Sequence, residues 1–341
     1  MSESVGFAVV GLGYGATRCE LLAKTPNAHL AAVVDASAER ARSAGERYGV
    51  PWFTRHTAVL ENPEVDVVAI YTPSGMHLEQ ARDVAAAGKH VMLTKPIEVD
   101  LERSDQVIGA CADAGVQLFG EFYLRYESAY WRLKSAADSG ALGPLILGEF
   151  GFKCFRPDEY YRSDGGWRQT WEMNGGGVVM NQTLHAIDLL TWCLGPIRTV
   201  SAITRTSGHD IPVEDTAAAV MTAASGAVAT LVGTSTFRTT SGMDDMYGGG
   251  YTTRAEVNGR DGSITVVDQQ VVMDQIVSGP LADYPGKPDN AFEDIARSLT
   301  EEGYSSLTLA RPADMRAVVE IALAVYDSAR TGEPVELGSR A

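Results

Sequence analysis

The chain has 341 residues, 45% of them hydrophobic, and its 44 Asp and Glu against 28 Lys and Arg leave a net charge of −16. That is enough chain for two domains with sizeable cores, and so acidic a surface repels nucleic acid and anionic membranes, which excludes both as expected partners. Four scattered cysteines, Cys19, Cys111, Cys154 and Cys193, form no C-x-x-C pair, which argues against a zinc site or redox motif and for a reducing compartment.

No basic stretch followed by an apolar run opens the sequence, and no apolar run has the length of a membrane span. The expectation is therefore a cytoplasmic protein. Phe7–Val10 is a short apolar run that suits a buried strand. Gly11, Gly13 and Ala16 follow it in the spacing G-x-G-x-x-A. In a dinucleotide-binding turn the first glycine allows the tight bend, the second lets a pyrophosphate approach the backbone, and the third small residue brings the next helix close to the sheet. The helix N-terminus then offers free N–H groups to the phosphates. A second strand, His29–Val34, ends in Asp35, an acid suited to the ribose 2′-hydroxyl of NAD and repellent to the 2′-phosphate of NADP.

Ala38–Tyr48 reads as a helix, Val65–Tyr71 as a strand buried on both faces, and a helix ends near Gly88. His90–Leu93 is the next strand and runs directly into Thr94-Lys95-Pro96; a helix to Ala114 and the strand Val116–Phe119 complete the run. Strands alternating with helices predict a doubly wound, Rossmann-type parallel sheet over residues 1–122. Ligands bind such sheets at the carboxyl ends of strands, where Gly11, Asp35, Thr72–His77 and Lys95 fall.

Beyond residue 122 the pattern changes. A helix over Glu127–Ser139, a long strand over Leu145–Cys154 and a helix over Gly177–Leu194 lead into a run of strands with hairpin signals at Ser225-Gly226 and Asp261-Gly262. Thr239–Gly250 is glycine-rich and expected to be a mobile loop. Two helices close the chain. Residues 123–341 are expected to form an α+β domain on an open, mostly antiparallel sheet that binds substrate and supports oligomerisation.

Three features can carry chemistry. Lys95 stands at a strand mouth before Pro96, which biases it to an extended backbone, and a lysine there can stabilise charge on a substrate oxygen or be a plain surface residue. Gly175-Gly176-Gly177 precede Asn181, His185 and Asp188 on one predicted helix, with the glycines available for close approach of a ligand. His185 is either a general acid/base or a core histidine bonded to Asp188. Phe155–Trp171 carries Arg156, Tyr160, Tyr161, Trp167, Arg168 and Trp171, suited either to a polyhydroxylated ring or to plugging a small core of its own. No second His or Cys accompanies His185, so no metal is expected.

Together, GLGYGA at 11–16, TPSGMH at 72–77, KP at 95–96, Arg125-Tyr126, GGGVVMNQTLHAID at 175–188 and YDSARTG at 326–332 resemble the Gfo/Idh/MocA family of sugar and cyclitol oxidoreductases. The resemblance implies reversible oxidation of a secondary alcohol to a ketone, with NAD as cofactor. It implies Lys95 and His185 as catalytic groups, with His77 near the nicotinamide end. The expected cofactor set is Gly11, Gly13, Tyr14, Gly15, Ala16, Asp35, Thr72, Pro73, His77 and Lys95; the expected substrate set is Arg156, Trp167, Arg168, Asn181 and His185. The family often has Glu where Thr94 stands and Asp where Asn181 stands, which puts more of the proton transfer on His185 and Lys95. A homodimer or homotetramer is implied as well. Two other readings stay open: an NAD-retaining enzyme that cleaves glycosides through a transient ketone, and a non-catalytic dinucleotide-responsive regulator.

Overall fold

The computed structural model describes residues 4–238, 250–276 and 286–338. Apart from Gly250, the glycine-rich stretch expected to be mobile lies outside the described residues. The chain forms two compact units, Met1–Tyr123 with Pro288–Arg316, and Leu124–Lys287 with Ala317–Ala341. The first unit thus draws in a late stretch of chain in addition to the N-terminal one.

The first unit contains β1 (Val5–Val10), α1 (Gly15–Leu22), β2 (Ala28–Val34), α2 (Ala38–Tyr48), β3 (Trp52–Phe53), β4 (Val67–Ile70), α3 (His77–Ala86), β5 (His90–Thr94), α4 (Leu101–Asp113) and β6 (Leu118–Glu121). The six strands pair in parallel in the order β3-β2-β1-β4-β5-β6. Every residue of β1 and β4 is buried, as expected where helices cover both faces of a parallel sheet. The strand order reverses direction between β1 and β4, and the crevice outside such a reversal is where doubly wound sheets bind ligands. Local chemistry sets the helix ends: Ser37 and Asp100 cap α2 and α4 by accepting from the backbone N–H three residues on, and Gly49 closes α2 at a φ of 69°. The helix Ala291–Thr300, capped by Asn290, completes this core by setting Phe292 edge-on against Phe7 at 5.2 Å.

The second unit contains α5 (Ser128–Asp138), β7 (Leu145–Cys154), α6 (Asp158–Arg162), α7 (Trp171–Asn174), α8 (Leu184–Leu194), β8 (Ile197–Arg205), β9 (Thr216–Ala223), β10 (Val228–Thr234), β11 (Tyr251–Gly259), β12 (Gly262–Val267), β13 (Gln270–Ile276) and β14 (Val335–Glu336). Its eight strands run β13-β12-β11-β7-β10-β9-β8-β14. β7 and β10 are parallel and every other pair is antiparallel, so the sheet is mixed but mostly antiparallel, as predicted. Both predicted hairpins form, with Gly226 at a φ of 90° between β9 and β10. α8 packs on β7, β10 and β11. The other face of the sheet leaves Ile203 and Val220 more than half exposed. Among the described residues no helix is long and apolar enough to cross a membrane.

Candidate dinucleotide and substrate sites

In the first unit the glycine turn has the expected mechanics at one position and a different division of labour at another. Gly11 adopts a φ of 91°, and a Cβ there would lie 2.8 Å from the Tyr71 carbonyl, so only glycine fits the bend. Gly13 and Ala16 are exposed. The residue that lets α1 press on the sheet is therefore Gly15, whose missing Cβ would sit 3.1 Å from Val9 and 3.2 Å from Tyr71, and not Ala16. No acid stands in the first turn of α1, so its N-terminal dipole is uncompensated and Gly13 leaves the backbone open to an anion. This cradle fits a dinucleotide pyrophosphate.

Asp35 follows β2 and is buried. One oxygen accepts from the Leu12 N–H at 2.7 Å; the other accepts from the Ser37 N–H at 2.8 Å and from Arg40 Nε at 3.1 Å. The acid thus braces the glycine turn as well as marking the strand end. Thr72 Oγ1 donates to Gln80 at 2.7 Å, and Thr72, Pro73 and Lys95 are half-buried. His77 is fully buried, with Nε2 3.1 Å from the Thr72 carbonyl and Nδ1 3.0 Å from that of Pro96. Burial holds its imidazole below the ordinary histidine range against the charge of Glu98. The ring exposes no atom with which to meet a cofactor.

Sequence reasoning missed a second group at these strand ends. Glu121, which closes β6, pairs with Arg18 at 3.2 Å, and the Arg18 guanidinium lies over the Tyr14 ring at 4.5 Å. Tyr71, also buried, is pushed well above the ordinary tyrosine range by burial and by Glu121. Tyr71 precedes Thr72 and Glu121 stands beside Thr94 in the sheet register, so both are found only once strands are paired.

In the second unit, His185 opens α8 at 7% exposure, with its ring 5.9 Å from Phe152, which in turn stacks on Tyr251 at 5.0 Å. Both Asp188 oxygens accept from Arg125, at 2.5 to 3.1 Å, in a bidentate pair buried on both sides. The chain from Val179 to Thr183 winds as a π-helix, where an uninterrupted α-helix is predicted. Such turns recur at functional sites, and this one carries Asn181, whose amide donates to Asn174 at 3.1 Å.

Gly176 and Gly177 have a packing role. A Cβ at Gly176 would collide with the Tyr326 hydroxyl, and one at Gly177 with the Glu214 carbonyl. Glu214 accepts from the N–H groups of Gly177 and Val179, each at 2.9 Å, and from the Tyr326 hydroxyl at 2.9 Å. Without side chains at 176 and 177 the helix start fits directly onto this buried acid.

The loop Phe155–Trp171 folds into α6, a 3₁₀ stretch and the start of α7. Arg168 is buried, with its guanidinium 4.6 Å from the Trp167 ring and 4.8 Å from that of Tyr160. Arg156 lies 5.2 Å from the same Tyr160 ring, and Gln182 donates to the Tyr160 hydroxyl at 3.1 Å. Tyr161 is packed inward on Ser235, and Trp171 is half exposed. One part of the loop therefore fills a core while Trp167 and Arg156 stay partly open. His209, which sequence reasoning passed over, holds the loop from below: Nε2 lies 2.7 Å from the Arg156 carbonyl and Nδ1 3.2 Å from Asp215. Among the described residues no group of three His, Cys, Asp or Glu could hold a metal ion.

A glycine cradle at a strand-order reversal, with an acid after the second strand, defines a dinucleotide-binding oxidoreductase fold. Residues 5–122 match the family model described as "Oxidoreductase family, NAD-binding Rossmann fold", and residues 130–265 match the GFO/IDH/MocA C-terminal domain. The chain belongs to the Gfo/Idh/MocA family. It is 25% identical over 295 residues to inositol 2-dehydrogenase of Rhizobium meliloti, covering 82% of this chain and 83% of that protein. It is 29% identical over 214 residues to scyllo-inositol 2-dehydrogenase (NAD(+)) of Bacillus subtilis, covering 61% of this chain and 58% of that protein. The WlbA dehydrogenase from Bordetella pertussis, solved with NADH and UDP-GlcNAcA, superposes with a TM-score of 0.84 at 26% identity over 98% of this chain and 99% of that one.

Proposed function

We propose that this protein is an NAD-dependent oxidoreductase that interconverts a secondary ring hydroxyl and a ketone on a sugar, cyclitol or glycoside. The observation that carries the reading is the glycine cradle at the strand-order reversal, where Gly11 makes the bend and buried Asp35 closes the second strand beneath it. In the second unit His185 stands with its ring 5.9 Å from that of Phe152, which suits a polar group set against an aromatic wall. The inositol dehydrogenases and the nucleotide-sugar dehydrogenase among its relatives support a polyhydroxylated substrate.

In this reading NAD, when bound, supplies a hydride acceptor at C4 of its nicotinamide. Gly11, Gly13, Tyr14, Gly15, Ala16, Thr72 and Pro73 hold the dinucleotide, and Asp35 favours NAD over NADP. Lys95 donates to the reacting oxygen and stabilises the charge that develops there; His185 takes the hydroxyl proton in oxidation and returns it in reduction. Asn181 orients the substrate by hydrogen bonds, since an amide cannot take up the proton. Arg156, Trp167 and Arg168 fix the ring through stacking and guanidinium donors. The open sheet face with Ile203 and Val220 serves a homo-oligomeric interface. The test is a panel of sugars, inositols, glycosides and nucleotide-linked sugars with NAD, read at the NADH absorbance. Absence of NADH formation across the panel, with NAD bound, would turn the assignment toward a binding protein.

A further inference from the structure

The loops that follow β4 and β5 are stitched together behind Lys95. His77 lies between them, its ring nitrogens 3.1 Å from the Thr72 carbonyl on one loop and 3.0 and 3.3 Å from the Pro96 and Ile97 carbonyls on the other. Carbonyl oxygens only accept and a neutral ring carries a single N–H, so the ring donates to one loop at a time; donation from Nδ1 ties Pro96 and Ile97 to the start of α3, which closes the loop after β4. Glu98, fully buried, accepts from the N–H of Leu78 at 3.1 Å and of Val99 at 2.7 Å. Arg103 then binds Glu98 at 2.8 Å and the Gly75 carbonyl at 3.0 Å. Three side chains from α3, the β5–α4 connection and α4 thus converge on two short backbone stretches. One of these stretches begins at the residue after Lys95. A buried acid, a buried ring and a shared arginine are costly to desolvate, and here they are matched to one another.

We propose that His77, backed by Glu98 and Arg103, is a positioning residue for Lys95: it ties the Pro96–Ile97 backbone to the loop after β4 and so fixes where the lysine emerges. The proposal rests on the reading of Lys95 as the group that acts on the reacting oxygen. A displaced reacting group costs rate far more than cofactor affinity, by up to about 10²-fold for a shift of about 1 Å.

The test compares His77→Leu with His77→Gln, which keeps one donor. Acylation of Lys95 by acetic anhydride, read by peptide mass spectrometry against Lys89 in the same chain, should be several-fold faster in His77→Leu. On a substrate found in the panel, kcat should fall about tenfold with the NAD dissociation constant preserved, and His77→Gln should restore most of it. Should His77→Leu fail to fold, Arg103→Gln, at a partly exposed side chain, is read the same way. An unchanged Lys95:Lys89 labelling ratio in a folded variant overturns the proposal. The labelling needs no substrate, so it stands or falls apart from the catalytic reading of Lys95, which is overturned if Lys95→Ala keeps normal turnover.

Discussion

Asp35 and Arg40 form an ion pair at the end of β2, with two guanidinium nitrogens 3.0 and 3.1 Å from a single carboxylate oxygen. The pair bears directly on cofactor choice. Asp35 alone repels a 2′-phosphate, and Arg40, half exposed beside it, offsets part of that repulsion. A charge-assisted hydrogen bond is worth roughly 1.5–3 kcal/mol, so Asp35 should give about one to two decades of preference for NAD. Asp35→Ser should narrow the gap and Arg40→Gln should widen it, as measured by kcat/KM with each cofactor. Equal efficiency with NAD and NADP in the unmutated protein would remove Asp35 as the selector.

Lys95→Ala should lower kcat by about 10²–10³, the scale for losing one electrostatic donor to a developing oxyanion. His185→Ala should cost about 10²–10⁴ and abolish the limb of the pH–rate profile that it controls. The proposed function has both act on one oxygen, so the double variant should be scarcely slower than the poorer single one. The measurement is kcat for four proteins, with NAD binding checked by titration. Full additivity of the two losses would show that they act on different steps.

Arg125 and Asp188 are both buried, so removing one leaves the other charged and unmatched. Asp188→Asn should cost about 3–5 kcal/mol of stability, whereas Arg125→Met with Asp188→Leu should recover much of the loss. Urea unfolding of the three proteins decides this. A single variant as stable as the parent would mean that water reaches the pair.

Trp167→Ala should raise KM for the sugar and leave NAD binding near its original value, because Trp167 is partly open and stacks with Arg168 in the second unit. A loss of Tm with unchanged KM would assign Trp167 to the core of its loop.

Burial pushes the Glu214 carboxyl above the ordinary range despite the N–H groups and the Tyr326 hydroxyl that it accepts from. The folded chain therefore binds more protons than the unfolded one over a window that starts near the ordinary value of about 4.3. Stability from this group is complete below that window and falls as pH rises through the raised folded value. Glu214→Gln does not titrate and lacks this slope, so any advantage of the parent in Tm should shrink from about pH 4 upward. An advantage that grows with pH would contradict the burial argument.

Much of the first unit was legible because its signals are local. Apolar runs such as Val67–Ile70, punctuating glycines and the acid Asp35 each announce themselves within a few residues. The second unit was legible only where it alternates. β13 escaped notice because Val271, Val272 and Met273 are consecutive and exposed, with no buried face to impose a period of two. The π-helix at Val179–Thr183 depends on Glu214 and Tyr326, residues remote in sequence that occupy the helix start. Glu98, Arg103 and Glu121 read in isolation as ordinary charged residues; pairing of strands and loops is what buries or joins them. The family's missing Glu before Lys95 is a related case: Thr94 stands there, and its register neighbour Glu121 places a carboxylate on the adjacent strand.

The late stretch Pro288–Arg316 closes the first unit's core, with Phe292 on Phe7, Asn290 bonded to Thr25, and the N–H of Gly120 bonded to the Ala310 carbonyl. During synthesis, then, the N-terminal sheet emerges from the ribosome long before the residues that cover Phe7. At about 5–20 residues per second, some ten seconds or more separate the two. Over that interval the nascent chain carries an uncovered aromatic side chain, a surface for chaperones to occupy, and a fragment ending at Tyr123 would carry it permanently.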